Sequence, residues 1–389
     1  MSSSDPAASD FRTGDVTLVA AAHWSHDTYT AFLPQLLPEL MSTLSFSTAQ
    51  GGLLTTFLQG PSLIQPLFGY LGERINLRAV VILAPALTAV AMSLLGVAPS
   101  YAMLALLLVI AGSSSALFHA VVPVLAGDLS GGSLGKGMGF WMVGGELGRM
   151  LGPLIAAGGI ALLGLKGLPW LMVGGLLASL LLSLRFRRVP VVVTPATTQT
   201  LDWKGALLAM RPLALPLLGL LIARAFMTSA LLTYFPTFLQ DEGMGNLRSG
   251  IYLSVLQFAG VVGALIGGRV SDRLGRKRIL ALALATTSLL MFAFLAVPEW
   301  GRVPLLLPLG FASLSITPVL MAFVQESFPE NRTLANSIYM GTGFLIRAGI
   351  VYVVGLLGDA LGLRAAFTIC AGVTLVGLPF IIWLPVRKS

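Results

Sequence analysis

His23, His26, Asp27 and Thr30 stand at i, i+3, i+4 and i+7 in an otherwise apolar stretch, so a helix there carries all four on one face. Asp27 and His23 are one turn apart and can pair. Histidine is the side chain most easily titrated near neutral pH, and an acid beside it in an apolar helix suits a proton relay. The same residues equally suit a static hydrogen-bonded network between helices. Two histidines and one carboxylate on a single helix match a metal-ligand set only weakly, so neither a metal nor a cofactor is expected. An intramembrane enzyme built on His23, His26, Asp27 and His119 is the reading from another class, and it lacks a second ligand set.

Arginines recur with a pattern of their own. The segment from Asp128 to Arg149 lies without gaps on the segment from Glu326 to Arg347; each opens on an acid, has Gly145 or Gly343 near its end and closes on an arginine. An arginine inside a bilayer costs roughly 2.5 to 3.5 kcal/mol on insertion scales, so two at equivalent places imply a role. The guanidinium fork grips carboxylate, phosphate or phosphonate in bidentate fashion, which makes Arg149, Arg224 and Arg347 candidate contacts for an anion. Glu146 can neutralise Arg149, three residues on, or rival Asp27 as a proton site. Arg224 and Arg347 have no acid at helical spacing. The repeat extends to Phe32-Leu33-Pro34 against Tyr234-Phe235-Pro236 and to Gln59 against Gln257. Gln59, Gln257, Tyr29 and His119 complete the candidate binding set.

The elements that position these groups must be membrane helices. Of 389 residues, 56% are hydrophobic and only 10% charged, against roughly 25% charged in a soluble domain. About twelve apolar runs of spanning length follow one another, separated by short polar breaks. The longest break divides six from six, giving halves over 1–186 and 212–389 joined by a cytoplasmic linker, 187–211, within which Trp203 to Leu208 suits a short interfacial helix. The formal charge of +8 comes from arginines and lysines concentrated in alternate loops, the positive-inside pattern, which places both termini in the cytoplasm and argues against nucleic-acid binding. The polar start, Met1 to Asp15, lacks the form of a cleaved signal. The single cysteine, Cys370, leaves no disulfide and no cysteine metal site.

Gly268-Arg-Val-Ser-Asp272-Arg273-Leu-Gly275-Arg276-Lys277-Arg278 resembles the motif G-x-x-x-D-R-x-G-R-[RK] that the major facilitator superfamily carries between the second and third helices of each half. The first-half copy, from Gly69 through Glu73, Arg74 and Asn76 to Arg78, has Glu for Asp and Asn for Gly. The logic is a glycine for close helix contact, an acid near a helix end and arginines that latch in one conformational state. Gly69, Glu73, Arg74, Gly268, Asp272, Arg273 and Arg276 are therefore the gating candidates. Gly144 to Pro153, followed by Gly158-Gly159, resembles the superfamily's fifth-helix antiporter motif with its closing glycines two residues late, although glycines four apart serve tight packing as readily. Ala22 to Tyr29, Leu33 to Pro38, Gln65 to Gly69 and Gly112 to His119 resemble the fosmidomycin-resistance branch, whose members export drugs. The chain departs from that branch with Ala120 and Val121 in place of Pro and Glu, and with Glu146 in place of Asn.

The resemblance implies an all-α integral membrane fold of twelve helices, two six-helix halves related by an axis along the membrane normal. It implies a monomer in the cell inner membrane that exports small amphiphilic or anionic compounds, antibiotics included, in exchange for protons by alternating access. Asp27, His23, His26 and Glu146 are then the proton-coupling candidates. The cargo site is expected between spans 1, 4, 5, 7, 10 and 11, with Asp27, His119, Arg149, Arg224 and Arg347 at mid-depth. An importer or uniporter of a small organic anion is the alternative in the same fold.

Overall fold

The computed structural model describes residues 11–64, 77–186, 203–328 and 332–384, and every regular element among them is helical. Chain order gives α1 (Thr13–Thr30), α2 (Leu33–Leu44), α3 (Thr48–Gln59), α4 (Leu77–Ser93), α5 (Tyr101–Asp128), α6 (Leu134–Leu163) and α7 (Met172–Phe186). It continues with α8 (Trp203–Ser229), α9 (Phe235–Asp241), α10 (Asn246–Leu274), α11 (Arg276–Ala296), α12 (Glu299–Ser327), α13 (Arg332–Leu361) and α14 (Leu363–Trp383). Among the described residues ten helical stretches are long and apolar enough to cross a membrane, so the protein is a multi-pass membrane protein. The remaining two expected spans are α1 with α2, broken at Ala31 and Phe32 just ahead of Pro34, and α3, which leads toward residues outside the description.

Contacts sort the chain into two units. The first holds Met1–Leu36 and Phe57–Ala196; the second holds Leu37–Thr56 and Thr197–Ser389. In the first unit, α6 lies directly on α1 because glycines remove the side chains between them. A methyl group on Gly144, Gly148 or Gly152 would stand 2.2, 2.6 or 2.5 Å from the carbonyl oxygen of Ala20, Trp24 or Thr28, distances no real Cβ tolerates. The four-residue glycine spacing of α6 thus matches the four-residue rise of carbonyls along α1. That seat sets the height of every polar group the two helices carry.

The second unit has its aromatic core around Phe235, Phe238, Phe294 and Phe367. Between α8 and α9 runs a single π turn, Ala230–Tyr234, just before Pro236, whose missing N–H cannot continue a regular α ladder. At the head of α3, the Asp359 carboxylate accepts from the Thr48 and Ala49 amides at 2.7 and 3.0 Å, capping that helix. Glu242, in the turn after α9, bonds both Arg302 and Arg364 at 2.8 Å; burial opposes its ionisation, but the two guanidinium groups outweigh burial and hold the carboxyl below its ordinary range.

Two expectations need correction here. Trp203 to Leu208 is no separate interfacial helix; it forms the first turns of α8, which begins inside the stretch expected as linker. Gly268 is not a close-contact glycine, since nothing lies within 4 Å of where its Cβ would be, and Gly267 makes the tight approach instead, to Ser315. The motif glycine that the backbone requires is Gly275. It ends α10 at φ 93°, a conformation that a side chain would strain.

Candidate functional site

Each unit gathers its own set of polar groups. In the first, Asp27 and His23 on α1, His119 on α5, and Glu146 and Arg149 on α6 converge. Arg149 Nη1 donates to Asp27 Oδ2 at 2.8 Å, and its other terminal nitrogen bonds Glu146. His23 Nε2 and His119 Nε2 lie 3.3 and 3.4 Å from the Asp27 carboxylate and 3.2 Å from one another. His23 is held rigidly, stacked on Trp141 at 3.6 Å between ring centres and bonded through Nδ1 to the Trp141 carbonyl at 2.8 Å. Asp27 and His23 are buried, whereas 31% of the His119 side chain and 41% of that of Arg149 remain open. Among the described residues, His23, Asp27 and His119 are the group whose donor atoms lie close enough together to hold a metal ion.

His26 does not join them. It is fully buried against Phe118, stacked at 4.4 Å, on the side of α1 that packs into the helix core. Its ring meets the His119 ring edge-on at 5.7 Å between centres, and no hydrogen bond or ion pair among the described residues joins it to Asp27 or His119. Tyr29 likewise leaves the set, because its buried hydroxyl donates to the Leu171 carbonyl at 2.5 Å and accepts from the Gly175 amide at 3.0 Å, tying α1 to α7. His119, ninety-odd residues away in sequence and expected at mid-depth with Asp27, stands beside both Asp27 and His23.

The second unit collects Arg224 on α8, Thr317 on α12, and Tyr339 and Arg347 on α13 around a cavity of about 170 Å³. Arg224 donates to the Thr317 hydroxyl, and Arg347 lies over the Phe344 ring at 5.0 Å. Neither arginine forms an ion pair among the described residues, and the Nε of each is buried without a hydrogen-bond partner. Gly343, Met340 and Thr228 complete the wall. Gln59 and Gln257 are half-buried on α3 and α10, and no hydrogen bond among the described residues joins them to either cluster.

At one end of the second unit, Arg276 bonds Asp272 at 2.5 Å, Glu326 at 2.7 Å and the Gly268 carbonyl at 3.2 Å, while Arg273 stays exposed. Glu326, which opens the second copy of the repeat, is a partner of Arg276 that the motif did not name. Gly69, Glu73 and Arg74, together with the Gln65 to Gly69 motif, lie outside the described residues.

The pattern of the Major Facilitator Superfamily matches residues 19–348, most of the chain and all of both clusters. The chain belongs to the major facilitator superfamily. It is therefore a secondary transporter of small molecules and not an enzyme. Over 385 residues it is 26% identical to the fosmidomycin resistance protein of Escherichia coli (strain K12), covering 96% of this chain and 93% of that one. It is 29% identical over 308 residues to the uncharacterised MFS-type transporter YcaD of Salmonella arizonae, 78% of each chain. Solved structures share the fold at 15% identity: a bacterial homologue of the human lysosomal transporter Spinster, inward-facing and occupied, with TM-score 0.82 over 98% of this chain and 97% of that one, and the nucleoside transporter NupG, with TM-score 0.79 over 95% and 99%. The superfamily accounts for the duplicated segments: Arg149 and Arg347 occupy equivalent places in two copies of one helical plan.

Proposed function

We propose that this transporter expels small anionic or amphiphilic organic compounds, antibiotics among them, from the cell in exchange for protons. Two guanidinium groups with no carboxylate partner among the described residues, opening on one cavity, carry the reading: Arg224 and Arg347 retain donors that an anionic cargo would satisfy. In the first unit Asp27 serves as the coupling carboxylate, because Arg149 and the two imidazoles compete for it and displacement of any one changes its affinity for a proton. Likeness to the fosmidomycin resistance protein along nearly the whole chain supports export. The loop arginines support an inner-membrane protein with both termini in the cytoplasm.

The test uses inside-out vesicles. With the lumen acidified, cargo chosen by thermal-shift screening of small organic anions should accumulate, and collapse of the gradient should stop it. Accumulation indifferent to the gradient would instead fit a uniporter, the reading favoured if the Asp27 to Arg149 pair is a permanent structural bond.

A further inference from the structure

His23 Nδ1 faces the Trp141 carbonyl at 2.8 Å, and His119 Nδ1 faces the Ser115 carbonyl at 2.9 Å. A carbonyl only accepts, so each ring carries hydrogen on Nδ1. Each neutral imidazole then presents a bare lone pair at Nε2. Those lone pairs meet at 3.2 Å, and the Asp27 carboxylate stands 3.3 and 3.4 Å from them. Three acceptors so close together repel one another unless a proton or a metal cation lies among them. Asp27 and Glu146 against the single charge of Arg149 leave the cluster one negative charge in excess, which favours a cation again.

The separations identify the kind of ion. Ligand atoms about 2.0 to 2.1 Å from a tetrahedral zinc ion lie about 3.3 Å apart, close to the 3.2 Å between the two Nε2 atoms and the 3.4 Å from His119 Nε2 to Asp27 Oδ1, while His23 Nε2 lies 3.3 Å from the other carboxylate oxygen, Oδ2. Two ring nitrogens and a carboxylate suit zinc, cobalt or nickel, and not calcium or magnesium, which demand more oxygen ligands. Metal-bound histidines commonly give their other N–H to a carbonyl, as both do here. Arg149 occupies Asp27 Oδ2, while Oδ1 is buried without a hydrogen-bond partner and so is free to ligate. The partly open His119 offers the way in.

We propose that His23 Nε2, His119 Nε2 and the Asp27 carboxylate bind one divalent transition-metal ion of the zinc class, with a fourth position left for water. The ion ties α1 to α5 and takes the carboxylate away from exchange, so it acts as an inhibitor. That consequence rests on the antiport reading; the binding site does not.

Purified full-length protein, its affinity tag removed and chelator dialysed away, is titrated with Zn2+ by calorimetry and loaded with Co2+ for visible spectroscopy. One Zn2+ per chain, a tetrahedral Co2+ spectrum and a raised unfolding temperature are expected. His119→Gln and Asp27→Asn should each weaken Zn2+ binding by at least about tenfold and abolish the Co2+ spectrum. Because His23 also packs on Trp141, His119→Gln is the decisive variant, its folding checked by gel filtration and thermal unfolding. No stoichiometric binding to folded protein overturns the proposal, as does affinity unchanged in both variants, or nitrogen NMR showing a proton shared between the two Nε2 atoms while Zn2+ is present. Zinc binding without inhibition of gradient-driven transport would leave the site standing and count against Asp27 as the coupling group.

Discussion

Arg149 and Arg347 occupy the same place in the two copies of the repeat and live in opposite circumstances. Arg149 is bracketed by Asp27 and Glu146, with two histidines behind them. Arg347 faces Arg224, a tyrosine and a phenylalanine, with no acid paired to it among the described residues. The repeat supplies the same cation twice, and its neighbours differ: in the proposed function the first holds the carboxylate that changes partners and the second receives an anion. The packing differs in parallel. A methyl on Gly145 would lie 2.4 Å from His23 Cε1, whereas one on its counterpart Gly343 would meet nothing within 4 Å. The first unit is a tightly seated polar network; the second is an open cavity wall.

The sharpest break in that comparison is Asp27→Asn. It removes the carboxylate shared by both histidines and Arg149, and gradient-driven transport in proteoliposomes should fall about a hundredfold while counterflow without a gradient persists. Full driven transport by this variant, with Glu146→Gln inactive, would transfer the coupling role to Glu146.

Next in size is the contrast between the arginines themselves. Arg347→Met should weaken cargo binding by about ten- to a hundredfold, the equivalent of a charge-assisted hydrogen bond of roughly 1.5 to 3 kcal/mol, and leave the unfolding temperature unchanged or higher because no acid among the described residues loses a partner. Arg149→Met should do the reverse for stability, costing about 2 kcal/mol by stranding Asp27 and Glu146. Equal stability effects, measured by thermal unfolding in detergent, would erase the distinction drawn here.

The glycine pair sharpens the packing half of the comparison. Gly145→Ala should cost about 1 to 3 kcal/mol, since His23 is pinned by Trp141 and cannot swing aside, whereas Gly343→Ala should stay within about 0.5 kcal/mol of the parent.

The smallest effect is expected at the exposed latch. Arg276 has Glu326 in reserve, so Asp272→Asn should shift stability by about 0.5 kcal/mol and bias cysteine labelling modestly toward the inward-open pattern; the double change with Glu326→Gln should exceed it. Additive, negligible effects in both would remove the latch from gating.

Much was legible without coordinates because the bilayer imposes a simple grammar. Continuous apolar runs, loop charges and the duplicated segments fixed the helical class, and the cost of buried charge singled out Asp27, Arg149, Arg224 and Arg347. The structure gathers these residues in two clusters, one on α1, α5 and α6 and one on α8, α12 and α13; the single cargo site expected between all six spans stays a proposal. Helical spacing also gave the Glu146 to Arg149 pair correctly, since partners three apart on one helix meet whatever surrounds them. It did not place the rings of His26 and Tyr29, which share a helix with Asp27: His26 stacks on Phe118 of α5 and Tyr29 bonds at the head of α7.

The sequence by itself determined what each helix carries and at what height, because rise and turn per residue are properties of the backbone. Only the tertiary structure decided which faces meet. The glycine seat of α6 on α1 put Arg149 on Asp27, the packing of α5 brought His119 to Asp27, and two backbone carbonyls oriented the rings of His23 and His119 toward one carboxylate. Those choices follow from distances between groups far apart in the chain, and no periodicity encodes such distances.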